Sequence, residues 1–146
     1  MPASERVIAD VVRGWVEKAE NDLKTAAVTL RAGEDSPTDT VAFHAQQCVE
    51  KYLKALLTLK GIDFPKIHDI EELVARVGPS VLIGLSVQEQ RRLTAYGTVT
   101  RYPGDYEPIS VAEARRAVAL ARRVRKEVRR ELPRTAVRRR KRRPQS

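Results

Sequence analysis

Cysteine is nearly missing from this chain: Cys48 stands alone among 146 residues. That excludes an intrachain disulfide framework and a zinc site built on paired cysteines, and a single reduced thiol suits a cytoplasmic protein. Aromatic residues are scarce as well, with seven Phe, Tyr and Trp in all. Ala, Val and Leu dominate the apolar set, a mix that suits close helix packing better than stacked β-sheets. No apolar run approaches the length of a membrane span, and the first ten residues lack the apolar core of a secretory signal. A Gly-rich phosphate loop, a paired-cysteine metal motif and a His-Glu-x-x-His motif are all absent, so no metal and no cofactor is expected. His44 and His68 are the only histidines.

What the chain does have is positive charge, unevenly spread. The net charge is +9, yet every acidic residue lies at or before Glu131, and residues 133–146 hold seven of the 28 Lys and Arg. Residues 1–132 therefore carry 21 basic against 19 acidic side chains, a net of +2. The length fits one domain, with 1–132 as a helical unit and 133–146 as an Arg-rich tail expected to be disordered.

Five helical segments follow from apolar spacings of three and four. The first covers about 5–31, through Ile8, Val12, Trp15, Ala19, Leu23, Ala26 and Leu30, with a possible break at Gly14. The second covers about 38–60 and stops at Gly61. Its apolar face holds Val41, Ala45, Cys48, Val49, Tyr52, Ala55, Leu56 and Leu59; its polar stripe holds His44, Gln47, Lys51, Lys54 and Thr58, bordered by Gln46 and Glu50. The third covers about 68–77, the fourth 86–99 and the fifth 110–132. Ser86 with Glu89, and Ser110 with Glu113, have the spacing of capping boxes. Pro103 disfavours helix at Tyr102.

Four stretches, in order, carry a resemblance: Trp15, Ala19, Asp22-Leu23 and Ala26 in the first helix; Phe43-His44-Ala45-Gln46-Gln47 with Glu50-Lys51 and Lys54-Ala55 in the second; His68-Asp69-Ile70 with Leu73; and Arg101-Tyr102-Pro103. Together they resemble the HEPN family over about residues 10–130. The resemblance implies an all-α fold, an up-and-down bundle of four to five helices, usually a homodimer. Many members are encoded beside a small nucleotidyltransferase of the MNT type as toxin–antitoxin pairs. Some are metal-independent RNases that use an arginine followed four to six residues later by a histidine, two such pairs meeting across the dimer. This chain departs from that motif. No histidine follows any arginine at that distance, and after Arg101 come Tyr, Pro, Gly, Asp, Tyr, Glu and Pro. The imidazole that would move a proton near neutral pH is missing from its expected place, so catalytic residues are not carried over.

The expected function is binding of a nucleotide or RNA phosphate by His44, Gln47, Lys51, Lys54, Arg101 and Tyr102, in concert with a nucleotidyltransferase partner. Arg101 can grip phosphate through its planar fork. Two alternatives stand beside this. One is an RNase with an altered site using His44 or His68 with Arg101; the other is a non-catalytic scaffold whose basic tail binds nucleic acid. For single residues the plainer readings are a solvated helix face for the polar stripe, a buried Cys48, a Glu50–Arg101 salt bridge, a helix cap for His68-Asp69, and packing for Tyr102 and Tyr106. Arg122, Lys126 and their basic neighbours on the fifth helix form, with the tail, a candidate phosphate-binding strip.

Overall fold

Helical periodicity becomes six helices and no strand among the described residues, 3–97 and 108–138, of the computed structural model. These are α1 (Ala3–Leu30), α2 (Thr38–Leu59), α3 (Ile70–Val77), α4 (Val87–Tyr96), α5 (Val111–Arg129) and the single turn α6 (Arg134–Val137). The expected all-α bundle is present, with α1, α2 and α5 as its long members.

Gly14 does not break α1, which runs continuously for 28 residues. Glycine costs a helix about 1 kcal/mol against Ala, and burial of Val12 and Val16 on either side of it outweighs that. The short connection to α2 makes the two helices antiparallel. Trp15 accordingly meets Phe64 just beyond the end of α2, ring centroids 6.3 Å apart and edge-on.

The second helix is the centre of the molecule. Tyr52, Leu53, Leu56 and Leu57 expose no surface, and its burial extends beyond the apolar face to Gln46, Glu50 and Lys54. It ends as the sequence predicts. Gly61 takes φ +68°, a left-handed conformation that glycine adopts without strain. Ile62 N–H then donates to Leu57 O at 3.0 Å and Gly61 N–H to Thr58 O at 3.1 Å, the double closure of a Schellman motif.

The third helix starts at Ile70, two residues later than expected, because Asp69 is its cap and accepts from Glu72 N–H at 3.2 Å. Ile70 N–H donates to Thr94 Oγ1 at 3.0 Å, which ties the start of α3 to α4. Ser86 and Glu89 form the full capping box of α4. Ser110 accepts from Glu113 N–H at 3.0 Å, but the Glu113 side chain turns away to accept from Tyr96 O–H at 2.5 Å. The second expected box is therefore half a box, its other half used to bind α5 to α4. The segment before α4 is fixed to α5 through Gly84, whose N–H donates to Glu127 at 2.9 Å and whose carbonyl accepts from Arg123 at 2.8 Å.

One expectation needs correction. The segment after Leu132 does not begin as disordered tail: Arg134–Val137 form α6 and Ala136 is buried. Helix α5 ends at Arg129, three residues before its expected end at Leu132; Pro133 instead opens the turn of α6, and Arg13 Nε of α1 donates to Thr135 O at 3.1 Å. Residues 139–146, expected to be disordered, lie outside the described residues.

Candidate functional site

Packing of α1 against α2 decides what the polar stripe of α2 becomes. Asp22, on the inner side of α1, accepts from His44 Nδ1 at 2.8 Å and from Lys51 Nζ. A carboxylate partner requires the proton of His44 on Nδ1 in that contact. His44 and Lys51 are thus clamped to α1 by a carboxylate, each with part of its side chain still open to solvent.

Lys54 has a different fate. Its side chain is only 8% exposed, with Nζ 3.7 Å from Glu50 Oε2 and 5.6 Å and 5.8 Å from the ring centroids of Trp15 and Phe64. A buried ammonium of this kind needs its carboxylate and gains from the ring faces. Glu50 is itself 2% exposed, and its other oxygen lies 2.6 Å from His68 Nδ1. The His68 side chain is 71% exposed. The result is an imidazole held from behind by a buried carboxylate, with its far edge toward solvent.

Gln47 Nε2 donates to Gln46 Oε1 at 2.7 Å. Gln46 is fully buried, and its Nε2 has no hydrogen-bond partner among the described residues. It lies against Gly97, where a Cβ would come 2.8 Å from the Gln46 amide carbon. A larger residue at that position would have to displace the Gln46 amide.

Of the residues expected at the site, the structure joins His44 to Lys51 through Asp22 and places Lys54 apart, with Glu50 and His68. Gln47 is paired with Gln46. Arg101 and Tyr102, with Tyr106, lie outside the described residues. The solvated-face reading of the stripe does not hold for Lys54, because α1 and Phe64 cover it. Asp69, not His68, makes the cap of α3. Cys48 is buried, and burial followed by the nearby Glu20 and Asp22 carboxylates pushes its thiol pKa up, so it is not a nucleophile near neutral pH.

Sequence reasoning missed one further constellation. Glu20 of α1 accepts from Arg125 Nε at 2.9 Å and Arg129 Nη1 at 2.9 Å, and Arg129 also donates to the Tyr52 hydroxyl oxygen at 3.3 Å. The hydrogen bond to Glu20 raises the pKa of Arg125 further, while burial raises that of Tyr52. More than 100 residues separate Glu20 from these arginines, and no local pattern links them. Among the described residues, no group of three His, Cys, Asp or Glu side chains is placed to hold a metal ion, and no helix is long and apolar enough to cross a membrane.

Residues 12–131 match the family model described as HEPN domain. A curated protein of Methanocaldococcus jannaschii, named "Putative toxin MJ1304", is 30% identical over 104 residues. That alignment takes in 63% of this chain and 63% of the relative, so the chain spans somewhat under two thirds of that protein's length. The crystal structure of TT1696 from Thermus thermophilus superposes with a TM-score of 0.70 at 29% identity, over 83% of this chain and 98% of that one. ST0689, described as an archaeal HEPN homologue, gives a TM-score of 0.59 at 24% identity over 82% of this chain and 96% of that one, a likeness of fold.

Proposed function

The chain belongs to the HEPN family, and from that premise we propose that it acts as a homodimer, one half of a toxin–antitoxin-like module with a small nucleotidyltransferase as partner. In this reading it binds a nucleotide or RNA phosphate on the α2 side of the bundle. The observation that carries it is the pair of carboxylate-held groups there: Lys51 and His44 on Asp22, and His68 on Glu50. Lys51 presents fixed donors to an incoming phosphate oxygen, and His44 and His68 add one each at Nε2 in their doubly protonated form; fixing donors in advance lowers the entropy lost on binding. The toxin name of the M. jannaschii relative supports the module reading. The test is induced expression of the full chain in bacteria, alone and with a small nucleotidyltransferase. Growth arrest relieved by the partner, and recovery of the two proteins together, is the expected result. Unaltered growth with no recovered complex defeats it. Light scattering should give twice the 16.5 kDa chain mass; a monomer at micromolar concentration removes the homodimer from the reading.

A second reading has its own observation. An exposed imidazole oriented by a buried carboxylate is suited to proton transfer, so the His68–Glu50 pair favours an RNase with an altered site. RNA cleavage by the purified protein, lost in His68→Asn, supports it; cleavage that persists in His68→Asn excludes this pair.

A further inference from the structure

Between α1 and the C-terminal half of α5 runs a groove that shares no residue with the α2 site. Two adjoining hollows of about 610 and 500 Å³ compose it, with Glu20, Lys24 and Arg125 lining both. Seven Lys and Arg side chains face it, against two carboxylates, Glu17 and Glu20. The surplus is local, since residues 1–132 as a whole are nearly balanced.

We propose that this groove binds the phosphate backbone of a nucleic acid, with Glu20 as an internal competitor for the incoming phosphate. Arg125 and Arg129 converge on the Glu20 carboxylate at 2.9 Å each. A planar fork that accepts a carboxylate accepts a phosphate in the same geometry. Arg122 and Lys126 line the same hollow and have no hydrogen-bond or ion-pair partner among the described residues, and Lys24 faces them from α1. Arg122, Lys126 and Arg129 stand at i, i+4 and i+7, one row along roughly 10 Å of helix. Arg138 closes the far end, and the sequence continues from it as Arg139-Arg140-Lys141-Arg142-Arg143.

The lining selects the kind of polyanion. No aromatic ring lines the groove, so bases are not stacked and the contact is to backbone, without sequence preference. None of the large exposed apolar side chains lines it either. A surface that docks on a bilayer buries apolar groups and is not concave, which favours a strand over a membrane.

The test measures anisotropy of a labelled poly(U) strand of about 20 nucleotides against the full chain across a salt series. Arg122→Gln with Lys126→Gln should flatten the slope of log K against log salt by about 1.4, two phosphates at about 0.7 each. Glu20→Gln frees two guanidiniums and should tighten binding severalfold. An unchanged slope in the double variant overturns the proposal. So does Glu20→Gln binding no tighter at an unchanged melting temperature; if that variant melts early, the slope of the double variant decides alone. Capture of anionic phospholipid vesicles without binding of poly(U) overturns the nucleic-acid assignment. Lys51→Ala separates the two sites: loss of binding there, with both groove variants like wild type, assigns phosphate recognition to α2 and removes it from the groove.

Discussion

Three buried side chains ionise only at a cost, and they set how the protein meets alkali. Burial raises the pKa of the Cys48 thiol and of the Tyr52 and Tyr96 phenols, and the Glu113 carboxylate raises Tyr96 further. In the unfolded chain these groups ionise near their ordinary values of 9.0 and 10.0. Above those values the unfolded state binds fewer protons than the folded state, so stability is whole below them and falls as pH rises. Urea denaturation from about pH 8 to about pH 11 should show a steadily lower midpoint, with phenolate absorbance of the buried tyrosines appearing as the chain unfolds. A flat midpoint across that range would contradict the burial of all three. Core packing gives a second check: Leu56 has no exposed surface, and Leu56→Ala should cost about 2–5 kcal/mol in chemical denaturation. Both Cys48 and Leu56 were legible from the wheel of α2, because a wide apolar face fixes which side is inward. Asp22 and Glu20 were not, since a carboxylate on an amphipathic helix carries no sign of the lysine, histidine or arginine it will meet. Lys54 shows the same limit: its helix position suggested solvent, and only Trp15 and Phe64, folded over from either end of the chain's first half, bury it.

Element positions were read well where an end is chemically marked. Gly61, Ser86 with Glu89, and Ser110 place the ends they were expected to place, because each supplies a hydrogen bond or a conformation that the termini lack. Helix α6 was invisible, as four residues provide no periodicity, and its contacts with α1 and with Arg129 of α5 hold it. The end of α4 came earlier than periodicity suggested, at Tyr96, where Gly97 comes against Gln46. That contact makes a specific prediction. A methyl at position 97 would lie 2.8 Å from the amide carbon of the fully buried Gln46 side chain, which would have to shift within the core. Gly97→Ala should therefore destabilise by about 1–3 kcal/mol, the usual cost of overpacking. Shortening Gln46 to Ala in the same chain should restore part of the loss, which a double-mutant cycle in urea measures. Additive losses would mean that the two residues do not touch.

At the scale of the whole molecule, the question is where the folded unit stops. Composition drew the line at Leu132, since half of what lies beyond is Lys or Arg, with no acid and no large apolar group. The structure moves it past α6: Ala136 is buried, and the backbone oxygens of Thr135 and Val137 accept from Arg13 and Arg129 at 3.1 and 3.3 Å. Two truncations then behave differently. A chain ending at Arg138 keeps α6 and both acceptors, so its thermal melt should match the full chain. It loses five cations from 139–143, and its salt slope for single-stranded RNA should fall by up to about 3.5, at about 0.7 per neutralised phosphate. A chain ending at Leu132 loses the α6 contacts as well. Removing one buried turn and two hydrogen bonds to arginine should cost about 1–2 kcal/mol, which lowers the melting temperature by roughly 3–8 °C at this chain length. It also opens one wall of the groove, so its affinity should fall further than the loss of tail charge alone predicts. Calorimetry on both truncations, with the salt series repeated, distinguishes the cases. Equal melting temperatures for the two would mean that α6 contributes nothing to the bundle, and the boundary would return to Leu132.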